Sequence, residues 1–436
     1  MTTQSSTDNS PNDADVLRLL ETFVRKHLGA TATVARFSRA STGRSRHNWL
    51  FDAVWEHDGK TITEPLIARR DPTGGLLQSD RATEFRVLRA LESVAVPTPY
   101  ARWLDATGEE LGRPGLVMGR LEGTCDYYAL NGPEPLHERV ELAKRLCSLL
   151  ADVHNVDWRA TELATESIDP GPMASLIALD EWEEVLRRDQ VEPYPELAYG
   201  AQWLRTYAPE SPGTSLVHGD FKVGNVLLDE QRNIVGLLDW ELAHLGDLHE
   251  DLGWITQPLR TREHYITDAW EREELLSFYE GVRGRAVDRD SVHWWNVFAT
   301  YKTAVMQASG LRAYLEGRSN EHYKPNAPVL TALLRAAIGS ALGSPAEEES
   351  GPDAKSTGTR EAFLRWDTRQ TWSLIGGDDV SMDKDPVHAN NEARAELVKC
   401  IAGLTFDDGD QDLRTKVGRH LLRRVSADPA LARRAK

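Results

Sequence analysis

The chain has 436 residues, is 40% apolar and 27% charged, and carries a formal charge of −17. That length suffices for two or three domains and that balance for an ordinary globular core. The acidic total excludes general nucleic-acid binding, which leaves a basic footprint, and favours cationic partners only weakly through a diffuse field.

Cys125, Cys147 and Cys400 are odd in number and far apart. They form neither a disulfide framework nor a zinc spacing, which predicts a reducing, cytoplasmic setting. The first residues are polar, without an apolar signal core. No stretch approaches the roughly 18 apolar residues of a membrane span.

In chain order, residues 1–14 read as a disordered tail. Val16, Leu17, Leu20, Phe23, Val24 and Leu28 recur at helical spacing. Three runs rich in β-branched and aromatic residues follow, 34–37, 49–55 and 61–68, separated by Ser41-Thr42-Gly43 and Asp58-Gly59; they predict a small antiparallel sheet. Residues 80–91 form a helix with Phe85, Leu88 and Leu91 on one face, and 116–121 read as a strand. The stripe Val140, Ala143, Leu146, Leu150 and Val153 makes 136–154 an amphipathic helix, with His154 at its end as a partner for the helix dipole. The proline-bearing stretch 160–212 predicts an insert of short helices on the substrate side. A long helix over 291–315 carries Trp294, Trp295, Phe298 and Tyr301, an aromatic set that suits a core or the wall of a pocket. Residues 343–360 have linker composition. Beyond them, 361–436 predict a helical extension with the partial stripe Leu397, Ile401 and Leu404; its last stretch, 411–436, has eight Lys or Arg against two Asp. Such a face is either solvated or docks on acidic surface, of this chain or of a homodimer partner.

The segment Val217 to Trp240, VHGDFKVGNVLLDEQRNIVGLLDW, carries the chemistry. Two apolar runs, 226–228 and 234–238, flank a polar turn and predict a buried hairpin. Asn225 and Asp239 then sit at its open ends, and Asp220 precedes Asn225 by five positions. Each residue alone equally suits a turn or a strand end. Together they match what phosphoryl transfer from a nucleotide requires: one carboxylate facing the acceptor hydroxyl, and one amide oxygen plus one carboxylate holding Mg²⁺ on the phosphates.

His218-Gly219-Asp220, Asn225 and Asp239-Trp240-Glu241, followed by Gly246-Asp247 and Asp251-Leu252-Gly253-Trp254, resemble the aminoglycoside phosphotransferase and choline kinase-like superfamily. Within it, the similarity is greatest to kinase-like domains attached to some acyl-CoA dehydrogenases. The resemblance covers about residues 15–340. It implies an α+β, bilobal protein-kinase-like fold, with an N-lobe over 15–120 and a helical C-lobe over 121–342. It also implies an Mg²⁺-dependent transfer from ATP or GTP to a small-molecule hydroxyl, of a hydroxylated metabolite or acyl compound or of an aminoglycoside-like antibiotic. Asp220 becomes the base, and Asn225 and Asp239 the metal ligands. Arg69, replacing the kinase lysine on the third strand, would hold phosphate and pair with Glu84. The loop around Ser45 would cover the phosphates, though it holds only one glycine, Gly43. Met118 and Arg120 would lie near the base. The sparse glycines and the Arg-for-Lys exchange also suit a catalytically inactive nucleotide-binding regulator or interaction protein.

Overall fold

The computed structural model describes residues 12–40, 47–71, 81–319 and 325–342. Ser45 and its loop, the linker and the predicted C-terminal extension therefore lie outside the described residues.

The amino-terminal part consists of α1 (Asp13–Leu28), β1 (Thr33–Arg39), β2 (His47–His57), β3 (Lys60–Arg70), α2 (Arg81–Leu91), β4 (Ala101–Asp105) and β5 (Gly115–Gly119). The strands form one antiparallel sheet in the order β1-β2-β3-β5-β4. Asp58 and Gly59 both take positive φ, 49° and 72°; this is the chemistry of a two-residue primed turn, whose twist suits a tight hairpin. It sets the β2–β3 register from His57↔Lys60 to His47↔Arg70. Alternation then divides the sheet. Trp49, Phe51, Ala53, Leu66, Ala68 and Val117 pack with Val16, Leu20, Phe23 and Val24 of α1. Ile67, Leu116 and Met118 belong to a separate cluster, with Val87, Leu88 and Leu91 of α2. Arg69 shares this second face, two residues from Ile67 and opposite Leu116.

The remainder is mainly helical: β6 (Thr124–Cys125), α3 (Leu136–His154), α4 (Leu163–Glu166), α5 (Ala174–Asp189), α6 (Pro195–Thr206), β7 (Ser215–Val217), β8 (Val226–Leu228), β9 (Ile234–Leu237), β10 (His244–Gly246), α7 (His249–Thr256), α8 (Thr261–His264), α9 (Arg272–Arg283), α10 (Arg289–Leu315) and α11 (Ala327–Leu342). The molecule is thus the α+β, bilobal protein-kinase-like fold. The second-face cluster of the sheet continues through α3, β8, α7 and α9 as one core. Among the described residues, no helix is long and apolar enough to cross a membrane.

One expectation is corrected here. Residues 160–212 include two substantial helices, α5 and α6, and these build a second core with α10 and α11. The prolines mark their starts rather than a run of short pieces; Pro195 opens α6. Trp294, Trp295 and Phe298 lie inside that core, and the stacked Trp294 and Phe298 rings sit 5.6 Å apart. Tyr301 alone among this set also lines a cavity of about 640 Å³, with Glu183, Arg187, Tyr194 and Arg205.

Helices α7 and α10 touch at backbone distance. A Cβ on Gly253 would lie 2.5 Å from the Trp295 carbonyl carbon, closer than packed atoms can sit. Gly253→Ala is expected to lower the unfolding free energy by about 1–3 kcal/mol, read from the urea midpoint at unchanged m. An unchanged midpoint contradicts the close approach.

Candidate active site

The loop joining β7 to β8 reverses direction at Gly219, where φ is +79° and a Cβ would lie 2.5 Å from the Leu242 carbonyl oxygen. Only glycine meets both conditions cheaply. The bend is fixed from α7. Asp251, fully buried, accepts from the His218 N–H at 2.7 Å and the Gly219 N–H at 2.9 Å. It also meets His154 Nε2 at 3.1 Å, while His154 Nδ1 contacts the Tyr279 hydroxyl at 2.6 Å. His154 therefore braces Asp251 and is not a helix-dipole partner. His218 hydrogen-bonds the Leu238 carbonyl at 3.0 Å, with its ring 4.6 Å from Trp240.

The Val226↔Leu237 pair closes the β8–β9 hairpin at its open end. A Leu238 N–H to Asn225 carbonyl bond of 2.8 Å extends it, so Asn225 and Asp239 leave the sheet side by side. Asn225 Nδ2 donates to the Asp220 carbonyl at 3.0 Å, and Asp220 Oδ2 lies 3.4 Å from it. The amide thus turns its nitrogen toward Asp220. Asp239 adopts a left-handed conformation, φ 69° and ψ 52°, uncommon for a non-glycine residue and concentrated at functional turns.

Arg69 reaches across from β3. Its guanidinium donates to Glu84 Oε1 at 2.7 Å, Asp239 Oδ1 at 2.5 Å and Glu241 Oε2 at 3.0 Å. Arg81 also bonds Glu84, and its Nε lies 2.9 Å from Asp71. Burial opposes the Arg69 charge, but Glu84, Asp239 and Glu241 outweigh it and raise its pKa. Burial likewise opposes ionisation of Asp239, yet Arg69 holds that carboxyl down at about 2. The neighbouring Arg70 lies 5.3 Å from the Trp49 ring, toward the other face.

Of the residues expected near a nucleotide base, Met118 is buried on β5 opposite Ile67. The Arg120 side chain is committed elsewhere: it donates to Asp52 Oδ1 at 2.9 Å, on a carboxylate that Arg36 also binds.

Lys222, Arg81 and Arg260 escaped sequence reasoning, and Glu241, part of the motif, had no role assigned to it. Lys222 Nζ lies 2.5 Å from Asp220 Oδ2. Burial opposes its charge, but Asp220 prevails and raises its pKa. Its place two residues after Asp220 was the available signal. Glu241 and Arg81 complete the Arg69 network. Arg260 stacks 4.1 Å over Trp254, is held by Glu263 at 3.0 Å, and its charge acts on both Asp220 and Lys222. Nothing local in the sequence marks Arg260.

The oxygens of Asp239, Asn225 and Asp220 are hard donors of the kind Mg²⁺ takes. Among the described residues, no trio of His, Cys, Asp or Glu forms a ligand set. Mg²⁺ commonly keeps waters and takes phosphate oxygens, so few protein ligands suffice. The arrangement fits a site for phosphoryl transfer.

The fold and this loop-and-hairpin constellation define a kinase-like phosphotransferase class. The chain belongs to the phosphotransferase enzyme family, whose profile matches residues 42–295. It is 31% identical over 195 residues to mouse acyl-CoA dehydrogenase family member 10, a stretch covering 43% of this chain and 18% of the relative. It is 26% identical over 274 residues to the probable acyl-CoA dehydrogenase IBR3 of Arabidopsis thaliana, covering 57% and 30%. The chain therefore spans less than a third of either relative. A Ralstonia eutropha crystal structure described as a "putative aminoglycoside phosphotransferase" shares the fold at a TM-score of 0.55 and 21% identity, covering 73% of this chain and 94% of that one.

The buried imidazoles give a pH signature. Burial depresses the pKa of His154 and His218; burial with the Arg260 and Lys222 charges lowers His264 to about 3. These groups are neutral when folded and take up protons on unfolding below about pH 6.5, so their stability contribution is lost on acidification. His244 behaves oppositely: burial acts downward, but Glu250 raises it to about 9, so its contribution is full below about pH 6.5 and lost by about 9. The melting temperature is expected to peak at about pH 6.5–7 and to decline on both sides. A melting temperature that climbs between about pH 6.5 and 5 contradicts the neutral imidazoles.

Proposed function

We propose that this protein is an Mg²⁺-dependent kinase that transfers the γ-phosphoryl group of ATP or GTP to a hydroxyl of a small, anionic molecule. The observation that carries the reading is the gathering of Asp220, Asn225 and Asp239 around one hairpin end, with Arg69 reaching Asp239 from the opposite lobe. Family membership supports the phosphotransferase class.

Asn225 and Asp239 would hold Mg²⁺, which when bound neutralises phosphate charge. Arg69, kept in place by Glu84, would orient the α- and β-phosphates, and Lys222 would face the transferred group. Met118 would pack near the base. Asp220 would orient the acceptor hydroxyl and take its proton as the oxygen bonds to the γ-phosphorus. The bond to the β–γ bridging oxygen breaks, and the nucleoside diphosphate leaves with that electron pair. Most of the acceleration would come from positioning and charge compensation.

The acceptor follows from local charge. Lys222 pairs with Asp220, and Arg260, held by Glu263, acts on Asp220 through its charge; these two cations favour a carboxylate- or phosphate-bearing acceptor over a polycationic aminoglycoside. Similarity to segments of acyl-CoA dehydrogenase relatives agrees with a hydroxylated acyl compound. A nucleotide-binding regulator without turnover is the second reading, supported by Arg69 already engaged with Asp239; nucleotide-dependent thermal stabilisation with no phosphorylated product from any acceptor would favour it.

Acceptors can be screened by the mass gain of one phosphate. With a productive acceptor, Asp220→Asn is expected to lower kcat by about 10²–10⁴-fold while nucleotide affinity stays within about twofold. Full activity in that variant rules out Asp220 as base. Arg260→Ala is expected to raise the KM of an anionic acceptor roughly tenfold and leave a neutral one unaffected; equal effects on both contradict charge recognition.

A further inference from the structure

One buried group has no part in the chemistry above. Lys302, on α10, is 2% exposed. Its Nζ donates to the Gly219 carbonyl at 2.8 Å and to Glu250 Oε1 at 3.1 Å, between the rings of Trp254 and Trp182, 5.1 and 5.3 Å away. Glu250 Oε2 in turn meets His244 at 3.1 Å.

The carbonyl of left-handed Gly219 meets the buried Lys302 ammonium, and a buried carbonyl needs a donor. A neutral donor or a water would serve. Dehydrating an ammonium costs several times what one carbonyl hydrogen bond returns, so satisfying that oxygen does not by itself account for a lysine. What the lysine adds is a tether. It joins the peptide leading into Asp220 to α10, while Asp251 of α7 grips the two preceding N–H groups. Glu250 and Asp251 are consecutive on α7, and α7 and α10 are themselves in close contact at Gly253 and Trp295. The bend before Asp220 is thereby held on its donor side and on its acceptor side by one rigid pair of helices.

We propose that Lys302, neutralised by Glu250, is a positioning residue that sets the orientation of the Asp220 carboxylate through the Gly219 peptide. This rests on the phosphotransfer reading of Asp220. Lys302 touches neither nucleotide nor acceptor in this account, so its loss should misplace the base and leave nucleotide binding alone.

The test compares Lys302→Met with the double variant Lys302→Met/Glu250→Gln, which conserves volume and removes both charges of the Lys302–Glu250 pair, while His244 loses its carboxylate partner. The double variant is expected to stay folded and to melt below the wild type by no more than the lost Glu250–His244 pair accounts for. Its kcat should fall on the order of 10²-fold, the usual consequence of a reacting group displaced by about 1 Å, with nucleotide KM within about twofold. Amide exchange at Gly219 and Asp220 should quicken by about tenfold or more. Wild-type kcat and wild-type exchange in the double variant overturn the proposal. So does a parallel loss of turnover and nucleotide affinity, which marks a purely structural role. Exchange is read without any acceptor, so it decides the tether even where the wild-type protein phosphorylates nothing, an outcome that removes the phosphotransfer reading instead.

Discussion

The guanidinium of Arg69 is the interaction on which the site depends. It is almost wholly buried and binds three carboxylates from two places: Glu84 on α2, then Asp239 and Glu241 after β9. Removing an arginine from water is costly, on the order of several kcal/mol, and becomes tolerable only where partners surround it. Here the partners come from α2 beside the sheet and from the turn after β9. The ion network thus fixes the spacing between the sheet and the hairpin, and with it the distance over which a triphosphate would be held. Arg81, also on Glu84, stiffens the α2 side. An alanine at Glu84 would leave the arginine leaning on Asp239 and Glu241 alone.

Beneath the network, the hairpin and its loop are held both by apolar packing of Phe221, Val223, Val226, Leu237 and Trp240 and by hydrogen bonds to the loop backbone. Asp251 receives two successive N–H groups, His154 and Tyr279 support Asp251 from behind, and Lys302 supplies the opposing bond to Gly219. Every one of these groups is polar, and most are buried. Polar networks of this kind are costly when half satisfied and rigidifying when complete. Rigidity is what the proposed reaction demands, since a loose phosphoryl transition state leaves the protein little to do beyond placing groups and compensating charge.

Much of this could be read from the sequence, for reasons that differ by element. The sheet was legible because β-branched runs alternate with turn residues, and Asp58-Gly59 names its own turn. The helices α3 and α10 were legible because their stripes are long; α3 runs from Leu136 to His154 as the periodicity predicts. Asp220, Asn225 and Asp239 were legible because a short hairpin holds them close in the chain. Lys222 lies in plain view within that hairpin's approach, yet one lysine between Phe221 and Val223 carries no periodic signal. Arg260 and Lys302 were beyond reach: their meaning arises from contacts between distant elements, and no local pattern encodes those; Glu241 stood in the Asp239-Trp240-Glu241 motif without a role. The size of α5 and α6 was missed because prolines were read as interruptions, whereas Pro195 begins a helix. His154 was misread because a histidine at a helix end looks like a dipole partner until Asp251 is brought beside it.

The central claim is that the Asn225 amide oxygen and the Asp239 carboxylate share one divalent cation delivered with a nucleotide. Mn²⁺ with a non-hydrolysable triphosphate, added to protein carrying ¹⁵N and ¹³C labels, reports proximity through paramagnetic broadening. Strong broadening of the Asn225 side-chain amide and the Asp239 carboxyl carbon, present with nucleotide and weak without it, is the predicted result. Broadening that spares both residues, or that falls elsewhere in the protein, would contradict the account.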